Sequence, residues 1–183
     1  MARGDSPVSD EGLMAQLRDG SVAAFQALYE RHHRALFNFL LRFLADRATA
    51  EDLLQEAFLR VYLHRETYRP TAAFRTWLFT IARNLALDHL RRRGIVQERV
   101  GEAERVRTTP DPAPGPLRRV EAGEELRRLE DALRRLPPGQ REVLLLSRYA
   151  GLSHAEIAEV TESSPEAVRV TLHRALRRLR DSL

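Results

Sequence analysis

Phe25, Leu28, Tyr29, His32, Leu36, Phe39, Leu40 and Phe43 recur three and four positions apart. That spacing lays them along one face of an amphipathic helix and predicts a long helix over 22–45. After a break at 46–49, "TAEDLLQEAFLRVYLHRE" opens a second helix. Thr49 is placed to cap it, Asp52 follows three residues later as in a capping box, and Leu54, Ala57, Phe58 and Val61 form its inner stripe. The proline in "TYRPTAAF" marks a short loop. Phe74, Trp77, Leu78, Ile81, Leu85 and Ala86 then return at helical spacing, so a third long helix runs to about Arg93. No stretch shows strand alternation of useful length and no repeat has a solenoid period, so the expected class is all-α.

The periodicity lapses over 94–120, where "TTPDPAPGP" concentrates proline and glycine. Beyond it, Leu126, Leu129, Leu133 and Leu136 mark another helix stopped by Pro137 and Pro138, and "GQREVLLLSRYAG" supplies the next, ending near Gly151. The expected organisation is two small helical domains, over 10–94 and 122–183, joined by a flexible Pro/Gly-containing linker over 95–121.

Composition narrows the chemistry. The chain has no cysteine, which excludes disulfides, thiol catalysis and Cys-containing zinc sites. Its thirty basic residues are all arginine, which supplies planar, bidentate donors. The formal net charge is only +4 but unevenly spread. Glu51, Asp52 and Glu56 make an acidic turn, while Arg91, Arg92 and Arg93, and later Arg174, Arg177, Arg178 and Arg180, make basic clusters. A polyanion would therefore meet specific faces rather than a uniform coat. The first ten residues are polar, and Asn38 and Arg42 interrupt the most apolar stretch, so no membrane insertion and a cytoplasmic location are expected.

"LSHAEIAEVTESSPEAVRVTLHRALRRLR", over 152–180, carries the clearest local signals. Ser153 and Glu156 fit a capping box for a short helix, "TESS" makes a tight polar connection, and Pro165 suits the first turn of a second helix. Two short helices so joined are a helix-turn-helix candidate. On the second helix Val168, Leu172, Ala175 or Leu176, and Leu179 form the buried stripe, while Glu166, Arg169, Val170, His173, Arg174 and Arg177 face the other way. Arginine can donate twice to guanine in a major groove, whereas Arg177, Arg178 and Arg180 are better placed for phosphates. A solvated arginine-rich helix in a bundle would share the stripe, but not the capped helix and tight turn before it.

Three stretches carry a more specific likeness. "AEDLLQEAFLRVY", "FRTWLFTIARNLALDHLRRR" and "LPPGQREVLLLSRYAGLSHAEIAEV" resemble successive regions of bacterial RNA polymerase sigma subunits, in the family's order and spacing. The compact size resembles the extracytoplasmic-function group. The resemblance implies that Asp52, Gln55, Glu56 and Leu59 dock on the β′ clamp helices of core RNA polymerase, a basic partner suiting that acidic stripe. It also implies that the third helix recognises melted minus-ten promoter DNA and that the loop before it captures an extruded base. The loop offers Tyr68, Arg69 and Thr71, and the helix offers Arg83, Asn84, Asp88 and Arg91 on the side away from Trp77 and Ile81. Asn84 matches the family's base-contacting position, and its amide both donates and accepts. Trp77 is assigned to the core.

In the last helix Arg169, His173 and Arg174 match positions that read minus-thirty-five duplex DNA, with Arg177 and Arg178 beside them. Val170 and Thr171 stand where relatives often carry a small and then a basic residue, and their methyls could meet a thymine methyl. The loop "RPTAA" replaces a glycine-containing one, and Pro70 stiffens it. By the same resemblance the linker passes near the polymerase active site or RNA exit path, an anti-sigma factor covers the polymerase-binding surfaces until a signal arrives, and the free chain is a monomer. The chain stops soon after the reading helix, so no appended sensory domain is expected.

Such a protein is a specificity factor, needs no cofactor or metal, and is not an enzyme. A helix-turn-helix repressor or activator that is not a polymerase subunit would carry the same C-terminal motif and would bind duplex DNA unaided. A zinc or acid–base enzyme built on His32, His33 or His64 lacks convergent ligand spacing, and the Asp52 and Glu56 carboxylates have no nucleophile or phosphate loop beside them.

Overall fold

The computed structural model describes residues 8–69, 72–94 and 124–183. Pro70, Thr71 and the expected linker over 95–121 lie outside the described residues. Among the described residues the chain forms eight α-helices and no strand. They are α1 (Asp10–Arg18), α2 (Val22–Leu44), α3 (Arg47–Leu63), α4 (Phe74–Arg92), α5 (Glu124–Arg135), α6 (Pro138–Leu145), α7 (His154–Thr161) and α8 (Pro165–Arg180).

The long helix over 22–45 forms as expected. Ser21 caps α2 by accepting the Ala24 N–H at 3.2 Å, and the helix ends at Ala45 in the left-handed region at φ 57°. Its inner face, including Leu28, Leu36, Phe39 and Leu40, is fully buried and worth about 2 kcal/mol per side chain. α1 is an addition that the apolar spacing from Phe25 onward did not reveal. Ser9 caps it through the Gly12 N–H, and Leu13, Met14 and Leu17 bury one face against α2. α3 starts three residues earlier than Thr49 suggested. Asp46 is its cap, accepting both the backbone N–H and the hydroxyl of Thr49, because a carboxylate meets the partial positive charge of a helix start better than a hydroxyl does. Those bonds hold the Asp46 carboxyl below its ordinary range.

α4 is turned from its expected setting. Phe74, Leu78, Leu85 and Ala86 are buried as read, but Thr76, Phe79 and Ala82 join them, while Trp77 and Ile81 stay at the rim. The cause is a second neighbour: α4 packs on α2 and α3 on one side and on α7 on the other. Thr76 is 2% exposed, and its hydroxyl donates to Glu156 of α7 at 3.3 Å.

The two expected helical units are therefore in contact, and one apolar core runs from Leu13 through α2, α3 and α4 to Leu146, Ile157 and Val168. Arg83 Nε meets Glu142 at 2.5 Å, Arg75 donates to the Ala150 carbonyl, Arg141 donates to the Phe43 carbonyl, and Arg42 lies over the Tyr149 ring. α6 continues through a π turn over Leu146–Ala150 that presses Ala150 toward α2. Gly151 ends it at φ 61°, a conformation that favours glycine, and the Arg75 guanidinium would lie 3.4 Å from any Cβ there. A smaller cluster of Leu133, Leu136, Leu144 and Ala175 ties α5 and α6 to α8.

Candidate nucleic-acid interface

Three surfaces carry the residues singled out in the sequence. On α3, Asp52, Gln55 and Leu59 are exposed along one face, with Glu56 half-buried beside them and paired to Arg60 at 3.0 Å. Sequence reasoning missed what continues this face: Leu63 and Tyr62 are exposed, and Tyr29 of α2 reaches its edge by packing on Phe58. The surface is thus acidic at its start and apolar at its end. Leu63 could have been found, since it stands four residues after Leu59.

The second surface is a cleft of about 520 Å³ lined by Arg60, Arg83, Asn84, Leu87, Asp88 and Arg91, closed on the far side by Thr161 and Glu162 of the turn between α7 and α8. Arg83 is drawn into its pair with Glu142, Arg91 bonds Asp88 at 3.0 Å, and Asn84 is exposed. A neighbouring cleft of about 300 Å³ brings Trp77, Ile81 and Asn84 together with His64 and Thr67. This corrects the expectation that Asn84 lies away from Trp77 and Ile81, and that Trp77 is simply core. Positions 77, 81 and 84 follow one another at four and three residues, so they share a face once Phe79 and Ala82 take the inner one. Arg60 enters this surface from α3 and was missed, its only sequence signal being its place one turn after Glu56.

Tyr68 is placed otherwise than a base-stacking role requires. It is 6% exposed, its ring packs on Phe74 and Trp77, and its hydroxyl donates to the Ala72 carbonyl at 3.1 Å. Burial and the nearby carboxylates of Glu11 and Asp10 push its phenol up to about 12. Two large rings beside the loop gave the tyrosine apolar cover that no spacing rule foretells. Arg69 is exposed and bonds the Glu66 carbonyl, and Thr71 lies outside the described residues.

The third surface is a helix-turn-helix built as its caps foretold. Ser153 and Glu156 cap each other reciprocally at α7, which holds the Glu156 carboxyl below its usual range. Glu162 turns the chain at φ 54°, and Ser164 caps α8 with Pro165 as its first residue. Val168 and Ala175 are buried while Leu176 is 50% exposed, which settles the stripe on Ala175. Arg169, His173, Arg174, Arg177 and Arg178 are exposed, with Val170 and Thr171 half-buried at the edge. Arg169 forks onto Glu166 at 2.5 and 3.1 Å, which raises the arginine and lowers the carboxyl.

Among the described residues no three His, Asp or Glu side chains are grouped to hold a metal, and His32, His33 and His64 do not converge, since His32 binds Asp10 whereas His33 stacks on Tyr29. No helix among them is long and apolar enough to cross a membrane.

Comparison with known proteins fits this geometry. The family model for Sigma-70 region 2 matches residues 28–95, and that for Sigma-70, region 4 matches 126–179. The RNA polymerase sigma factor CarQ of Myxococcus xanthus is 39% identical over 173 residues, covering 93% of this chain and 95% of its own. The ECF RNA polymerase sigma factor SigL of Mycobacterium tuberculosis is 36% identical, covering 88% and 90%. Among solved structures, that of CnrH in complex with the cytosolic domain of CnrY superposes with a TM-score of 0.71 at 27% identity over 96% of each chain. With both regions matched and relatives of this identity along nearly its whole length, the chain belongs to the extracytoplasmic-function (ECF) group of RNA polymerase sigma factors.

Proposed function

We propose that this sigma factor docks on the β′ clamp helices of core RNA polymerase through Asp52, Gln55, Glu56 and Leu59, reads upstream duplex DNA with α8, and traps the melted minus-ten strand along α4. The observation that carries the last step is the joined pair of clefts on α4. A half-buried indole, Trp77, forms one wall, the Asn84 amide stands at the junction, and Arg60, Arg83 and Arg91 line the rest. Single-stranded DNA asks for this combination: a ring face for stacking, cations for the backbone, and an amide for a base edge.

The apolar end of the α3 face, at Leu63 and Tyr62, extends the docking surface beyond its acidic start. Tyr68 serves from behind by supporting Trp77. On α8, Arg169, His173 and Arg174 are the base-reading side chains, Val170 and Thr171 offer methyl contacts, and Arg177 and Arg178 hold phosphates. Capturing unstacked bases shifts the duplex toward the open form without hydrolysis by this chain. An anti-sigma partner covering these surfaces completes the proposal. The similar sigma factor CnrH is known in complex with the cytosolic domain of CnrY.

Asn84→Ala tests the reading in a reconstituted polymerase on a promoter it serves, with strand opening followed by permanganate reactivity of thymines. Loss of at least tenfold in opening, with core binding and upstream duplex binding unchanged, is expected. Unchanged opening would remove Asn84 from capture of the melted strand, and upstream duplex binding by the free chain that polymerase neither requires nor enhances would favour a free-standing helix-turn-helix regulator.

A further inference from the structure

α4 begins without a cap of its own. Ala73 occupies the cap position in an extended conformation, at φ −58° and ψ 140°, and offers no side-chain acceptor. The orphan N–H of Phe74 instead donates at 3.2 Å to the carboxylate of Glu11, sixty-three residues earlier in the chain. A helix start that borrows its cap from a distant element is positioned by that element.

The residue before Glu11 braces the same point. Asp10 accepts from His32 Nε2 at 2.7 Å and from Arg31 at 3.0 Å, and the His32 ring packs 5.3 Å from that of Phe74. Arg31 also ties down the Val8 carbonyl at 2.6 Å. Phe74 passes the constraint on, because its ring lies 6.2 Å from Trp77, and Tyr68 packs beside both. The acidic first turn of α1 is thus joined through one backbone bond and one ring cluster to the indole that walls the α4 cleft.

We infer that Asp10 and Glu11 make α1 a strap that positions the start of α4, and that Glu11 is a positioning residue for capture of the melted strand. This rests on the reading of the α4 cleft given above. The hydrogen bonds of Asp10 and Glu11 run to Arg31 and His32 of α2 and to Phe74 of α4, so the effect of the strap is expected first at the α4 cleft.

The chain's single tryptophan is Trp77, so its emission reports the cleft wall directly. The test compares the intact protein with Glu11→Ala, Glu11→Gln and the double variant Glu11→Ala, Ala73→Asp. Ala73 is exposed and extended, so aspartate there supplies a cap in place. Glu11→Gln keeps an acceptor oxygen. In Glu11→Ala the Trp77 emission moves to the red, and a polymerase assembled with it binds a forked minus-ten probe about five- to tenfold more weakly. Glu11→Gln stays near wild type, and Ala73→Asp restores both readouts. Co-elution with core polymerase and the midpoint of thermal unfolding are followed alongside.

Unchanged emission and fork binding in Glu11→Ala would overturn the strap. So would a loss that Ala73→Asp leaves uncorrected while restoring the unfolding midpoint. Should the intact protein itself fail to bind the fork, the reading of the cleft falls, and the strap is judged by the Trp77 emission of the same variants.

Discussion

At the scale of single residues, His32 shows how burial and a partner compete. Its ring is 4% exposed and bonds Asp10, yet burial outweighs that carboxylate, and Arg75 and Arg31 add to it, so the imidazole titrates below its ordinary value. In the unfolded chain it titrates near 6.5. The neutral ring's contribution to stability is therefore fully present above that pH and is lost as pH falls toward the lowered folded value. Denaturant unfolding between pH 8 and 5 should show stability falling as the pH drops below about 6.5. His32→Gln should lower stability at pH 8 and flatten that slope. A wild-type curve that rises as pH falls would contradict the assignment. The same scale shows where spacing stops being informative. His32 and Phe74 were legible as inner residues because periodicity counts positions. Whether Tyr68 or Trp77 would be the buried ring was not, because both flank a loop and only the packed neighbours decide.

At the scale of elements, helix ends explain most successes and most errors. α7 and α8 were legible nearly to the residue because Ser153, Glu156, Ser164 and Pro165 each act within their own turn. The start of α3 was not, since Asp46 and Thr49 are both capping types three residues apart and only the fold shows one bonding the other. α4 has no cap of its own to read. The end of α2 carries a local cost. Ala45 sits at φ 57°, where a side chain is penalised by roughly 1 kcal/mol relative to glycine. Ala45→Gly should raise the unfolding midpoint by about 2 °C in a differential scan, after the entropy lost by adding a glycine is set against that gain. A fall in the midpoint would show that the left-handed cap costs nothing here.

At the scale of the whole molecule, the packing of the two helical units bears on the function proposed. Minus-ten and minus-thirty-five elements stand on the order of 25 base pairs apart, or about 85 Å of duplex at 3.4 Å per pair. A compact chain of this length has a radius of gyration of only about 16 Å. The α4 cleft and the α7–α8 turn line one cavity, so the proposed function requires the units to part before both elements can be engaged together. The 95–121 stretch reaches about 90 Å when fully extended, which is enough. That the chain carries two helical units was legible from its apolar spacing, whereas the core they share was not, because that spacing does not say which helix covers which.

Arg83 and Glu142 hold the units together with side chains only 14% and 11% exposed, so Glu142→Ala should loosen them by about 1–2 kcal/mol. Fluorescence transfer between dyes on α3 and α8 should then report a larger separated population than in wild type, and an identical distribution would contradict this role of the pair. Docking on polymerase is tested by co-elution with bacterial core RNA polymerase on gel filtration, with the intact chain set beside the Asp52→Ala, Glu56→Ala double variant. Stoichiometric co-elution of the intact chain, lost in the folded double variant, is the predicted result. Failure of the intact chain to co-elute, or undiminished co-elution of the double variant, would contradict it.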